Sequence, residues 1–184
     1  MAIKRVLTYG EPSLREPSKE VHKVSKKISD LIRDLFDTMY AQNGVGLAAP
    51  QIGVNLRVFV IDASTKEEPL EPMVFINPKI IRKSGAIKSN EGCLSFPEAY
   101  SDVVRYKDVM IKAINEHGKP FVMEVKGGNL LARAIQHEND HLDGILFIDH
   151  CLNRFETEEV LKKYNLPDIE PEHLLDETEL KEQL

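Results

Sequence analysis

A short segment with two histidines four residues apart is the feature that most constrains the fold. Asn129 is a residue type that caps the start of a helix and Gly144 one that ends it, so the segment between them is predicted to be helical. Within it, His137 and His141 lie about 40° apart around the helix axis and one turn apart along it. Both imidazoles can therefore bind one cation, and the chain must bring a further ligand to the same ion.

An acidic residue inside this motif is the candidate general base. Glu138 neighbours Ala134, Ile135 and Leu142 at helical spacings, an apolar flank that should raise the pKa of its carboxyl group toward neutral pH. Asp140 lies on the other flank, beside polar and acidic residues that indicate a wetter surface, and its side chain is one methylene shorter. We therefore predict that Glu138 is the base.

The third ligand stays open on the residues alone. A metzincin protease needs a histidine where this chain has Phe147, which argues against that class. A gluzincin protease uses a distant glutamate, and the chain has many, so that class remains. A cysteine thiolate is the other choice. Cys93 follows the flexible Gly92 and precedes Pro97, whereas Cys151 lacks such a frame and is interpreted as an inert, buried residue.

Three motifs, in this order along the chain, resemble those of the peptide deformylase family. They are Gly44-Val-Gly-Leu-Ala-Ala-Pro-Gln51, Glu91-Gly-Cys-Leu-Ser95 and Gln136-His-Glu-Asn-Asp-His141. The resemblance extends over residues 3–150. It implies one divalent metal ion, with Fe(II) as the cellular metal and Zn, Ni or Co as substitutes. The metal ligands that it implies, beside a water molecule, are Cys93, His137 and His141.

The resemblance also implies a reaction and a role for the motif residues. The substrate is the N-terminal formyl-methionine of newly synthesised polypeptides, and hydrolysis of the formyl amide releases formate. Glu138 acts as general base and then as general acid. The side-chain amide of Gln51 and the backbone N–H of Leu94 stabilise the oxyanion. The residues expected to bind the extended peptide are Gly44, Val45 and Gly46.

Two rival functions explain fewer of these residues. A metalloprotease would leave Gln51 and Cys93 without a role. A catalytically silent binding module is expected to lack the base or an oxyanion donor, yet both Glu138 and Gln51 are present. The deformylase hypothesis is therefore favoured, and with it we predict that Glu91 pairs with Arg105 to brace the loop of Cys93.

Local patterns predict an α+β fold, because short strands are framed by helices without regular β-α alternation. We expect a single domain over residues 1–184, with mostly antiparallel strands packed around the helix that carries the histidines. An N-terminal helix is predicted over residues 25–42 and a C-terminal helix over 157–164. The predicted strands are residues 56–62, 73–76, 79–82, 108–115, 121–125 and 145–148.

Charge is concentrated at the C-terminal end. Residues 156–184 carry ten acidic residues against three lysines, a net charge of −7 in a chain of net charge −6. Residues 167–184 are predicted to be a mobile acidic tail that suits neither DNA nor ribosomal RNA, which leaves only transient proximity to the ribosome. No apolar run approaches the roughly 18 residues of a membrane helix, and residues 1–10 lack a signal peptide's apolar stretch. A cytoplasmic protein of bacterial type, without membrane partners, is therefore expected.

Overall fold

The computed structural model describes residues 3–66 and 69–184. In this part of the chain one five-stranded sheet follows the sequence order β1-β2-β3-β4-β5, and every pairing is antiparallel. The α+β class is therefore confirmed. Residues 1–2 and 67–68, which the predicted domain includes, lie outside the described residues. The strands are β1 (Gly46–Ala48), β2 (Val58–Ile61), β3 (Met73–Cys93), β4 (Phe96–Ile114) and β5 (Pro120–Val125).

Four α-helices are found within the described ranges, and none of them is long and apolar enough to cross a membrane. The first helix contains most of the predicted N-terminal helix (residues 25–42), and the third contains most of the predicted C-terminal helix (residues 157–164). The helices are α1 (Lys26–Ala41), α2 (Leu130–Leu142), α3 (Arg154–Lys163) and α4 (Thr178–Lys181).

Two long strands, β3 and β4, replace several of the short ones that were predicted. They pair down to Cys93 and Phe96, which a two-residue turn joins. The break expected at Pro78 is instead an irregularity within the strand, where the register shifts between Ile76 and Lys79. Such bulges bend a strand without ending it. The hairpin therefore carries Cys93 at its far end.

Strand β2 separates two apolar clusters. All four of its residues are buried, and successive side chains point to opposite faces. Phe59 and Ile61 belong to the cluster that contains α2, while Val58 and Val60 belong to the cluster that contains α1. Each fully buried side chain of this size contributes about 1.5–3 kcal/mol to folding. Helix α2 thus packs on one face of the sheet. This agrees with the prediction that the strands pack against the helix that carries the histidines.

The ends of α2 are those that the sequence predicts. Asn129 Oδ1 accepts a hydrogen bond of 3.0 Å from the backbone N–H of Ala132. At the other end Gly144 has φ +72°, the left-handed conformation that ends many helices and that glycine adopts without strain. The two histidines of the motif therefore have a fixed position relative to the helix start.

The predicted strand over residues 145–148 is wrong. The structure has a 3₁₀ turn, Phe147–His150, in its place. The buried Asp149 explains the difference: its carboxylate accepts a hydrogen bond of 2.8 Å from the N–H of Leu146 and pairs with Arg15 at 2.5 Å. Arg15 is 134 residues away in sequence, so no local pattern indicates this contact.

The C-terminal segment lies against the body of the protein. Leu180 of α4 is buried, and the backbone N–H of Leu175 donates to Asp149 O at 3.1 Å. Farther toward the N-terminus of the segment, the carbonyl oxygen of Asp168 accepts a hydrogen bond of 3.1 Å from the hydroxyl of Tyr9. The mobility of residues 167–184 stays a prediction, but in the structure they contact the N-terminal segment at Tyr9 and the 3₁₀ turn at Asp149.

Candidate metal centre and active site

A thiol and two imidazoles meet where the β3–β4 hairpin touches α2. Cys93 lies at the end of β3, and His137 and His141 lie one turn apart on α2. Their ligand atoms are all within 4.8 Å of one another, and Cys93 Sγ is 3.3 Å from His141 Nε2. One thiolate and two imidazoles suit a tetrahedral site for a divalent transition metal with a position left for water. These residues therefore fit a single ion, and no glutamate among residues 3–66 and 69–184 belongs to the cluster.

The second cysteine behaves as predicted. Cys151 is buried in an apolar cluster with residues such as Phe147 and Leu161, and it is not part of the group that can hold a metal. Burial raises the pKa of its thiol. A protonated, buried thiol is a poor ligand and a poor nucleophile.

Glu91 orients the ring of His137. Its Oε2 lies 3.0 Å from His137 Nδ1, and Arg105 donates two hydrogen bonds to it, of 3.0 Å from Nε and 2.8 Å from Nη2. Burial acts to raise the pKa of Glu91, but the charges and hydrogen bonds of Arg105 and His137 hold it well below its usual range. A carboxylate behind an imidazole fixes the ring orientation and leaves Nε2 for a metal. The predicted pair of Glu91 and Arg105 is confirmed, and it braces His137 as well as the strand of Cys93.

Removing the Arg105 side chain is expected to lower the affinity of the site for a metal by about 10- to 100-fold. Without the Arg105 guanidinium, Glu91 loses two hydrogen bonds and no longer holds the ring of His137 firmly. Competition with a chelator measures the affinity. Arg82→Ala is the matched control, because Arg82 is an exposed arginine on β3 that pairs with Glu124, and its loss should leave the affinity unchanged.

Arg105→Ala removes the guanidinium that pairs with two buried acids, Glu91 and Asp140, and is expected to cost on the order of 3–5 kcal/mol of stability. Arg105→Lys keeps the charge but not the two parallel hydrogen bonds, so it serves as the folded variant. Wild-type affinity in both variants would contradict the bracing role.

Glu138 is the unpartnered carboxylate of the site. Its side chain is buried and lines the same cavity as Cys93 and His137, and its Oε2 makes no hydrogen bond with any described residue. Burial raises the pKa of Glu138 to about 7, and the nearby charge of His137 only partly opposes this. A carboxyl group with a pKa near neutrality, facing a cavity, can both accept and return a proton. The apolar flank predicted for Glu138 is therefore present.

The surroundings predicted for Asp140 were wrong. Its flank of α2 is covered by β4 and by the 3₁₀ turn, so its carboxylate meets Arg105 Nη1 at 2.5 Å and His150 Nε2 at 2.9 Å instead of water. Burial would raise the pKa of Asp140, but the charges of His150 and Arg105 lower it to about 2. Helical spacing shows neighbours on the same helix and not the elements that pack against it. Asp140 is thus an ion-paired residue and not a candidate base.

The amide of Gln51 has a defined orientation. Its Oε1 accepts a hydrogen bond of 2.8 Å from the N–H of Ala48, so its Nε2 points the other way, to 3.3 Å from Cys93 Sγ and 3.2 Å from Ser95 Oγ. Gln51 is buried, with 1% of its surface exposed. A buried N–H donor aimed at the ligand cluster can stabilise negative charge that develops there.

A cavity of about 510 Å³ opens beside the cluster. Gly44, Val45 and Gly46 line it, and so does Leu94 from the turn of the hairpin, so the predicted substrate residues share one space with Cys93 and His137. Its volume is in the range of small-molecule and peptide side-chain sites. The apolar residues of its lining include Val45, Leu94, Phe96, Leu130 and Ala134.

Gly46 is the residue against which the Glu138 carboxylate packs. A Cβ atom at position 46 would lie 2.5 Å from Glu138 Oε1 and 2.9 Å from its Cδ. Gly46→Ala is therefore expected to displace the carboxylate and lower kcat by about 10- to 100-fold, with the metal still bound. Steady-state kinetics with metal analysis measures this.

The Gly46→Ala change is best read in a double-mutant cycle. In a Glu138→Ala background the same glycine change should cost little more, because the displaced group is already absent. If the two changes instead lower kcat independently, so that their effects multiply in the double variant, Gly46 does not act through Glu138.

Three residues of the site were given no role by the sequence motifs, although Ser95 is the last residue of one of them. Ser95 Oγ meets Gln51 Nε2, His150 pairs with Asp140, and Arg133 lines the cavity. A signal existed for Arg133, since it lies four residues before His137 and therefore on the same helix face. For the other two, contacts depend on the tertiary packing.

Comparisons with known proteins agree with the motifs. A family model described as Polypeptide deformylase matches residues 3–157. The peptide deformylase of Pseudothermotoga lettingae is 49% identical over 148 residues, which cover 80% of this chain and 82% of that protein. Peptide deformylase 1 of Bacillus subtilis is 44% identical over 161 residues, which cover 88% and 97%.

Solved structures are similar over the same extent. The crystal structure of a peptide deformylase from Synechococcus elongatus in complex with actinonin gives a TM-score of 0.82 at 40% identity, covering 91% of this chain and 92% of that one. The peptide deformylase from Thermotoga maritima gives a TM-score of 0.77 at 37% identity, covering 83% and 100%. Sequence and fold therefore agree on one family.

Proposed function

The chain belongs to the polypeptide deformylase family, metal-dependent hydrolases that remove the N-formyl group from the N-terminal methionine of nascent proteins, and we propose how its own residues perform that reaction. Two observations together carry the proposal. The ligand atoms of Cys93, His137 and His141 lie within 4.8 Å of one another. The buried side chain of Glu138 lines the same cavity as Cys93 and His137, and its Oε2 makes no hydrogen bond with a described residue.

The residues that would hold the metal are Cys93, His137 and His141. When bound, a divalent metal supplies positive charge that polarises the formyl oxygen and lowers the pKa of a water molecule. We propose Fe(II) as the cellular metal, with Zn, Ni and Co as substitutes, because a mixed thiolate and imidazole site accepts each of these ions. Glu91 keeps the ring of His137 in the orientation that such a site needs.

The remaining residues move the proton and stabilise charge. Glu138 takes a proton from the attacking water and returns it to the departing amine, so that water and the formyl amide become formate and a free N-terminus. The Nε2 amide of Gln51 and the backbone N–H of Leu94 donate hydrogen bonds to the oxyanion formed from the formyl oxygen. The orientation of Gln51 supports this role, because Ala48 already occupies the amide oxygen.

The substrate main chain would lie along Gly44, Val45 and Gly46. Strand β1 pairs on one side with β2, and its other edge is not paired with a strand of the described sheet. An extended peptide can add to such an edge through backbone hydrogen bonds. Its methionine side chain would then enter the cavity near Leu94 and the helix of His137.

The reaction is proposed to take place in the cytoplasm, where polypeptides are synthesised and where formyl-methionyl chains are available. The relatives named above include bacterial enzymes. Proximity to the ribosome would be transient and would not run through residues 156–184, because a segment with a net charge of −7 repels the phosphate backbone of RNA.

Formate release from a formyl-Met tripeptide tests the proposed function. The protein is purified without oxygen and loaded with Fe(II) or Ni(II), and the matching unformylated peptide is the control. We expect formate from the formylated peptide and no cleavage of internal peptide bonds by mass spectrometry. No formate from protein with bound metal would overturn the proposal, and internal cleavage would favour a metalloprotease.

A further inference from the structure

His150 lies between two carboxylates in the C-terminal half of the protein. Its Nε2 is 2.9 Å from Asp140 Oδ2, and its Nδ1 is 2.8 Å from Glu177 Oε1. A neutral imidazole has one N–H, so it cannot donate to both acids at once. With both carboxylates ionised, this geometry needs a doubly protonated His150. Burial and the charge of Arg105 act to lower its pKa, but Asp140 and Glu177 raise it overall.

Glu177 belongs to the acidic C-terminal segment and is largely buried against His150. Its side chain is 12% exposed, and its second oxygen, Oε2, makes no hydrogen bond with the described residues. The segment is attached nearby through Leu180, which is buried, and through Lys181 Nζ, which donates to Cys151 O at 3.0 Å. His150 is thus the group that compensates the charge of Glu177.

Asp140 links this pair to the interior of the site. Its Oδ2 accepts hydrogen bonds from both His150 and Arg105, at 2.9 Å and 2.5 Å. The guanidinium of Arg105 is 2% exposed and is divided between Asp140 and Glu91. Glu91 in turn contacts Nδ1 of His137. Asp140 and Glu91 therefore share the guanidinium of Arg105, and His150 is a second hydrogen-bond donor to Asp140.

We propose that Glu177 is a positioning residue of the active site, contributed by the C-terminal segment. By stabilising the doubly protonated form of His150, Glu177 ensures that His150 donates a hydrogen bond to Asp140. Arg105 can then keep both of its hydrogen bonds to Glu91. Without Glu177, the Arg105 fork moves toward Asp140, and Glu91 orients His137 less tightly. This inference rests on the proposed function, because His137 is a metal ligand there.

The test compares full-length Glu177→Gln and Glu177→Ala with the wild type. Glutamine keeps an acceptor for His150 but removes the charge, whereas alanine removes both. Glu179→Gln is the matched control, because Glu179 is exposed, lies two residues away and carries the same charge. The first readout is the rate at which EDTA removes Co(II) from the loaded protein, and the second is the split between kcat and KM for the formylated tripeptide.

We expect Glu177→Gln to release Co(II) about three- to tenfold faster, less than the effect typical of a direct partner of a metal ligand. Its kcat should fall by a similar factor with KM unchanged, since Glu177 does not line the substrate cavity. Glu177→Ala should show larger changes, and Glu179→Gln should show none. Nitrogen-15 spectra of the His150 ring should show two N–H groups in the wild type and one in Glu177→Ala.

A purely structural role gives a different result. In that case the Glu177 variants have a lower Tm, but the folded, metal-loaded protein has the wild-type rate of Co(II) release and the wild-type kcat. That outcome would overturn the proposal, as would a singly protonated His150 in the wild type. His150→Gln interrupts the same series of contacts at its next residue, and it should reproduce the faster release of Co(II). Absence of formate from the wild type would defeat the proposed function alone, because the rate of Co(II) release still decides the role of Glu177.

Discussion

Glu138→Ala is expected to lower kcat for formate release by about 10²- to 10⁴-fold while the metal stays bound. The carboxylate is the proposed general base; it lines the cavity and is not one of the clustered ligands. The loss should therefore appear in kcat with metal content unchanged. Steady-state kinetics and elemental analysis on the same preparation measure both quantities.

The same substitution makes a distinctive prediction for stability. Glu138 is buried, and burial raises the pKa of its carboxyl group, so the native state bears a cost for holding this group away from bulk water. Its replacement by alanine should leave Tm unchanged or raise it, as is common when a functional group is removed. A variant with wild-type kcat would contradict the assignment of the base. A variant that loses activity by unfolding would show a lower Tm.

Cys93→Ala is expected to abolish both metal binding and activity. Two imidazoles remain, but a site with two protein ligands is short of the three that catalytic metal centres use. The affinity should fall by more than the roughly 100-fold typical of outer partners. Chelator competition and metal analysis after dialysis measure the loss.

Cys151→Ala is the matched control for this experiment. Cys151 is the other cysteine of the chain, and it is buried and is not one of the clustered ligands, so its replacement should leave metal content and kcat near the wild-type values. Stoichiometric metal in Cys93→Ala would exclude the thiolate as a ligand. Loss of metal in Cys151→Ala but not in Cys93→Ala would show that Cys151, and not Cys93, provides the thiolate.

The parts of the site that depend on local geometry could be predicted from the sequence. Asn129 and Gly144 bound α2 through backbone preferences that act over a few residues. His137 and His141 share a face because of the helical repeat, and the apolar flank of Glu138 follows from the same repeat. Each of these features is present in the structure.

The parts that depend on packing between distant segments could not be predicted. Asp140 was expected to face water, because the helical repeat does not show that β4 and the 3₁₀ turn cover it. Residues 145–148 have an apolar pattern that suits a strand, but the pairing of Asp149 with Arg15 turns the chain instead. The pairing of His150 with Glu177 likewise joins residues 27 positions apart. A local pattern contains no information on such partners.

The contact between Tyr9 and Asp168 has a consequence for how the protein folds. Backbone hydrogen bonds join Leu7 to Gln51 and Tyr9 to Ser95, so the segment around Tyr9 holds two loops of the candidate site. The Tyr9 hydroxyl also donates a hydrogen bond to the carbonyl of Asp168, 159 residues farther along the sequence. Contacts between residues so far apart form slowly, because the entropy of closing the loop between them is lost before the contact stabilises the fold. The segment that supports both loops of the site therefore reaches its final position only after distant parts of the chain have come together.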